Sequence, residues 1–415
     1  LHQTTAADAI DRIPAGSHVV ASPFCGLPRT LVNTLAARAE GQGLTLMTGL
    51  IFDYEAIADA VRSGDLAYRT WHLNAALEPL LAEGLISYLP MRASRVPAQL
   101  TSWKPEVALV RVTPPDRNGW CSLGPSVCYV RAALESATLR IAEVDPALPR
   151  TWGQSMVHVS DLDLLVESSE PMSVYTAATP NPVSTAIARH VMELLPERPL
   201  LQLGIGAVPE ALVTALGEHG MSELRFTGMA SDGMVDLAER GLLDLRYDRG
   251  FPPISTPDLL GTSRLMQWAD DNPSVGLYPS TTAQNPLELA RLERLVSINS
   301  AVEVDLAGQV NSERVRGRQI SGIGGSIDFT EAATQSPGGM RIIALPSTTS
   351  DGKVSRIVPR LGESSAVTIP GALVELVVTE HGVARLEGRS TRERAEALAA
   401  IAAPQHREQL LSAMQ

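Results

Sequence analysis

The chain of 415 residues is 44% hydrophobic, 19% charged and only 4% aromatic, which fits a globular protein with a mainly aliphatic core and excludes a disordered or fibrous one. A net charge of −12 without any Lys/Arg run argues against a general nucleic-acid partner, since phosphate neutralisation needs a basic face. A local basic pocket for a phosphorylated cofactor stays open.

No apolar run approaches the roughly 20 residues of a membrane span. The opening LHQTTAADAI has neither the charged start nor the apolar stretch of a signal peptide. No membrane partner is expected, and the expected location is cytoplasmic. Cys25, Cys121 and Cys128 are too few and too irregular for a disulfide framework or a zinc site, so no metal is expected.

The length suggests two domains, each able to bury its own core. In chain order, HVVASPF reads as a strand, LVNTLAARAEG as a helix and LTLMTGLIF as a strand, an alternation that predicts α/β layers. The stretch ESSEPMSVYTAATPNPVS is rich in Ser, Pro and Thr and predicts the junction, giving domains 1–178 and 179–415. Beyond it, STAIARHVMELL has helical spacing, and LLQLGIGAVP reads as a strand, a glycine turn and a helix start. EALVTALGEHG continues that helix, while LVSINSAVEVDLAGQV and RIIALPS read as strands. The tail reads as helix, proline break, helix.

Two glycine motifs carry candidate chemistry. Gly204, Ile205, Gly206, Ala207 and Val208 join a strand to a helix, where backbone N–H groups and the helix start attract an anion or an oxyanion. The plain alternative is a tight turn without ligand, for the motif lacks the third glycine of a dinucleotide fingerprint and the Lys-Ser/Thr of a P-loop. Gly322, Gly324, Gly325 and Ser326 form a second segment that permits close backbone approach, or else a bulged turn.

The stretch VALVRVTPPDRNGWCSLGPSVCYVRAALESATLRIAEVDPALPRTWGQSMVHVSDLD resembles the signature region of 4-hydroxybutyrate CoA-transferases and related acetyl-CoA hydrolase/transferases. Further blocks agree in order: LQLGIGAVPEAL, SDGMVDLAERG, INSAVEVDLAGQVNSE with ISGIGGSIDF, and KVSRIVPRLG with VVTEHGVARLEGRSTRERA. The resemblance implies two related CoA-transferase-type (NagB/RpiA-like) α/β domains with the active site between them. It also implies coenzyme A, as acyl-CoA, for substrate, and a homodimer. The turn at Gly204 to Val208 would then hold the thioester, with the Gly322 to Ser326 segment close by.

In this resemblance the family's nucleophilic glutamate falls on Gly228, anchored by Ser231-Asp232-Gly233 and Asp236-Leu237. Glycine cannot attack a thioester or carry CoA as a glutamyl thioester. Losing that side chain is expected to open space beside the carbonyl, where a small amine, hydroxyl or water attacks directly. His158 is a candidate general base because imidazole titrates near neutral pH, although a satisfied structural histidine is the favoured reading. Glu303 and Asp305 alternate on a strand and face one side. Asp232 and Glu143 are equally ambiguous, and Ser231 and Cys121 are replacement nucleophiles without a neighbouring histidine in sequence. Four functions stay open: acyl transfer to a small acceptor, acyl-CoA hydrolysis, carboxylate CoA transfer through a relocated carboxylate, and CoA binding without catalysis.

Overall fold

A computed structural model describes residues 2–413. The chain divides into two compact units: residues up to Thr176 with Ile254–Gln284, and Ala177–Pro253 with the chain from Asn285 onward. A single cut between 178 and 179 therefore needs one correction, because the segment Ile254–Gln284 returns to the first unit. Backbone pairing takes it there. Its strands Ile254–Leu259 and Val275–Leu277 lie parallel, and the second pairs with Trp152–Gly153. The Val127 amide donates to Pro257 O at 3.0 Å, and the Ser280 amide to Cys128 O at 2.7 Å.

In the first unit, strands β1 (His2–Thr4), β2 (His18–Ala21), β3 (Leu44–Thr48), β4 (Leu66–Thr70), β5 (Ser87–Tyr88), β6 (Val107–Val112), β7 (Leu139–Val144) and β8 (Leu164–Glu167) build one sheet. Its order is β1-β8-β7-β6-β2-β3-β4-β5, and all its pairings are parallel. The central β6, VALVRV, is buried at every position, as a parallel strand covered on both faces must be.

The second unit repeats this winding. Strands β9 (Leu200–Leu203), β10 (Arg225–Ala230), β11 (Leu295–Ser300), β12 (Met340–Ala344), β13 (Leu376–Thr379) and β14 (Gly382–Arg385) run in the order β14-β13-β12-β11-β9-β10. Only β13 and β14 are antiparallel. Helices α1 (Pro182–Met192), α2 (Ala207–His219), α3 (Gly233–Glu239) and α4 (Ser326–Gln335) accompany the sheet. Asn181 starts α1 by accepting a hydrogen bond from the Ser184 amide in a capping box.

In both units the chain winds outward from a middle strand and then resumes on that strand's other side. In the second unit the middle strand is β9, with β10 on one flank and β11 on the other. Such a switch point leaves a crevice beyond the carboxyl ends of the strands, where open α/β sheets bind ligands. The glycine turn after β9 lies there.

Candidate functional site

The strand β9 is buried throughout and delivers the chain into Gly204-Ile205-Gly206. Gly206 holds φ +124° and takes the N-cap position of α2 with no capping side chain. A Cβ added at Gly204 or Gly206 would meet no heavy atom within 4 Å, so the turn faces open space. The amides of Ala207 and Val208 thus start a 13-residue helix without a side-chain acceptor, and the macrodipole adds positive potential at the same point. Such a turn suits a thioester carbonyl or an oxyanion.

Gly228 lies directly across from Leu203 in the β9/β10 ladder with φ +86°. A Cβ here would stand 2.8 Å from Leu203 O and 3.1 Å from Gln202 Cγ. The space expected beside Gly228 is therefore filled on that side, by the backbone of the neighbouring strand. Gln202 is itself fixed: its Oε1 accepts from Ser297 Oγ at 2.9 Å, and Asn299 Nδ2 donates to the same Ser297 oxygen at 2.9 Å.

An acid does stand close to this strand end, on α2. Glu210 is buried, at 8% exposure, and its carboxyl lies beside the side chain of Ser231, three residues beyond Gly228. Burial pushes the carboxyl above the usual glutamate range; the Ser231 side chain opposes this shift and the Asp232 charge reinforces it. Its Oε2 lies 3.6 Å from where a Cβ on Gly233 would be. The glycine turn, Gly228, Ser231, Asp232 and Glu210 thus form one local group around the ends of β9 and β10. Glu210 was not singled out from sequence, although an acid among the apolar Val208, Ala211 and Leu212 of one helix was a usable signal.

The second glycine segment is a turn that leads into α4. Gly324 takes φ +57°, and Ser326 opens the helix with its Oγ donating to Ile323 O at 2.8 Å. Gly322 is buried and Gly325 half-buried beside it, and α4 packs on β11 and β12.

The remaining candidates are committed elsewhere. His158 Nε2 meets Asn118 O at 3.0 Å, and since a carbonyl only accepts, this nitrogen carries the proton. Its Nδ1 then accepts from the Ser160 amide at 3.2 Å and sits 2.7 Å from Ser160 Oγ, so no lone pair is left for a substrate. The ring stacks edge-on against Trp120, which is the structural reading of this histidine. Glu303 accepts from Asn311 Nδ2 at 2.9 Å and Ser365 Oγ at 2.6 Å. Asp305 accepts from the amides of Ala307 and Gln309.

Glu143 lies in the first unit against Arg111 at 3.5 Å and accepts from Thr30, Leu31 and Ser168. Burial pushes the Cys121 thiol up to about 11, the opposite of what an activated nucleophile needs. Among the described residues, no group of three or more His, Cys, Asp and Glu gathers where it could hold a metal ion. No described helix is long and apolar enough to cross a membrane.

Residues 2–180 match the acetyl-CoA hydrolase/transferase N-terminal domain and residues 261–414 the corresponding C-terminal domain. The chain is 37% identical to the 4-hydroxybutyrate coenzyme A transferase of Clostridium kluyveri, over 98% of its own length and 96% of that protein's. It is 34% identical to the succinyl-CoA:cyclohexane-1-carboxylate CoA transferase of Geobacter metallireducens, over 94% and 89% of the two chains. Among solved structures, RipA from Yersinia pestis superposes with a TM-score of 0.91 at 29% identity, covering 99% of this chain and 96% of that one.

Proposed function

Because the chain belongs to the acetyl-CoA hydrolase/transferase family, an acyl-CoA thioester is its substrate class, and we propose that it passes the acyl group directly to a small amine or hydroxyl acceptor. No glutamyl-CoA intermediate forms at position 228. In this reading the thioester oxygen sits against the amides that open α2, and Glu210 takes the proton from the acceptor, directly or through Ser231. The acceptor atom forms its bond to the acyl carbon, the C–S bond breaks, and the CoA sulfur leaves with the proton that Glu210 returns. Backbone donors aimed at the developing oxyanion contribute a few kcal/mol each, so no covalent enzyme intermediate is required.

The observation that carries this reading is the buried carboxyl of Glu210 beside a position 228 that holds no side chain. A carboxyl raised toward the working pH suits general acid–base chemistry. A second reading is carboxylate CoA transfer with Glu210 as a relocated nucleophile; the named activities of the two relatives favour it. Hydrolysis differs from the first reading only in placing water where the acceptor attacks.

The test is to follow free thiol from several acyl-CoAs, alone and with amine, alcohol or carboxylate acceptors. Thiol release that depends on an amine or alcohol is the expected result. Acyl exchange onto a carboxylate, with a CoA-sized adduct on Glu210 in the intact-mass spectrum, overturns direct transfer in favour of the second reading. Release without any acceptor assigns hydrolysis. A homodimer remains part of the proposal, to be checked by solution mass.

A further inference from the structure

At the opposite edge of the second unit's sheet, a cleft of about 300 Å3 is lined by Arg198, Arg225, Arg246, Arg249 and Arg294, with Asp244, Asp248, Glu293 and Tyr247 between them. Arg198 precedes β9, Arg225 begins β10 and Arg294 precedes β11. These strands are parallel, so the three arginines share the amino-terminal edge, while the glycine turn and Gly228 occupy the carboxyl edge. The cleft is therefore separate from the thioester site. In a chain of net charge −12, five guanidinium groups facing the three lining carboxylates and the adjoining Glu223 is a local reversal of sign.

The carboxylates leave this charge only partly matched. Asp244 binds Arg246 at 2.7 Å and Arg198 at 3.3 Å, and Asp248 pairs with Arg225. Glu293 reaches Arg294 only at 3.9 Å. Arg249 is exposed and has no carboxylate partner among the described residues.

The Nε donors of Arg225 and Arg294 are shut from solvent without any hydrogen-bond partner, and that of Arg198 has only the Glu223 carboxylate, at 3.6 Å. Buried orphan donors on charged groups are rare, and an absent ion is one of their ordinary causes. Arg198, Arg249 and Arg294 also hold left-handed backbone, as does Glu223, which pairs with Arg198 and Arg246. Non-glycine residues carry such strain chiefly where function over-determines the geometry.

We propose that this cleft binds a small multivalent oxyanion, of phosphate or polycarboxylate type. Guanidinium forks grip paired oxygens of both classes, and the volume lies at the small end of ligand pockets. Arg249 supplies uncommitted donors, Arg246 keeps only its Nη1 free beside bonds to Asp244 and Glu223, and Arg294 lies beside them with little to hold it.

Calorimetric titration of the full-length protein in low-salt chloride buffer, with pyrophosphate and separately with citrate, tests the site. The expected result is saturable binding of at least one of the two, one per chain, weakening as salt is added. Whichever binds identifies the class. Arg249→Ala removes no side-chain hydrogen bond or ion pair among the described residues, so its unliganded melting temperature and thiol-release activity should match the parent, while affinity falls by about tenfold or more. Absence of saturable binding by both anions overturns the proposal. So does binding that Arg249→Ala and Arg246→Ala both leave unchanged.

Discussion

Placing a side chain at Gly228 tests the backbone reading of the site. At φ +86° an L-residue is strained by about 1–2 kcal/mol. Its Cβ would also stand 2.8 Å from Leu203 O, closer than any ordinary contact, and this atom belongs to a paired strand rather than to a flexible side chain. Forcing β9 and β10 apart adds an overpacking penalty of about 1–3 kcal/mol. Gly228→Ala is therefore expected to lose about 2–5 kcal/mol, against a usual domain stability of about 5–15 kcal/mol. For a unit of this size that lowers the melting temperature by roughly 4–20 °C, readable by calorimetry or by near-ultraviolet dichroism.

Gly228→Glu carries the same strain with a longer side chain, and is expected to fold less well without gaining carboxylate CoA exchange. A Gly228→Ala protein that melts within about 1 °C of the parent would refute the strain argument. A stable Gly228→Glu protein that exchanges CoA onto carboxylates would show that position 228 accepts the nucleophile after all.

Glu210→Gln keeps the shape and the Ser231 contact but removes the base, so acyl transfer should drop by about 10²–10⁴-fold, measured as thiol release at saturating acceptor. Burial raises the folded pKa of Glu210 above its unfolded value. Stability from this group is then full below the unfolded pKa and is lost as pH rises through the folded one. The glutamine variant should consequently gain melting temperature relative to the parent as pH increases. Asp258 offers a steeper case: burial lifts its carboxyl from 3.8 to about 7, and its Oδ1 has no hydrogen-bond partner. Asp258→Asn is expected to melt like the parent below pH 3.8 and progressively above it up to pH 7, in a melting series across that window. A constant difference at every pH would remove Asp258 from the account.

Local patterns were legible in the sequence because local physics decides them. The apolar run LLQL became a buried strand, the glycines after it became a turn, and the apolar face of Pro182–Met192 became a capped helix. The alternating runs before residue 178 likewise became strands and helices of a parallel sheet. What escaped was fixed by long-range pairing. Nothing in ISTPDLL says that its partners lie near Pro125 and Val127 rather than in the chain around it. The arginines of the cleft are spread from 198 to 294 and converge only because β9, β10 and β11 start at one edge. For His158 the sequence favours a scaffold role but leaves a base open, and Asn118 O and Ser160 take both of its nitrogens.

The acid of the site has a geometry that bears on its chemistry. A carboxylate nucleophile must be ionised and free to reach the acyl carbon. Glu210 is shielded and raised in pKa by its burial, and both features work against attack. The same features favour proton transfer. A carboxyl with a raised pKa binds a proton more tightly once ionised, and a hydroxyl such as that of Ser231 beside it can both receive and donate a proton. With Gly228 bare and its Cβ direction closed by Leu203, the proposed role of Glu210 is to move protons rather than to carry an acyl group. Acceptor chemistry then depends on what can approach the open side of the Gly204–Gly206 turn.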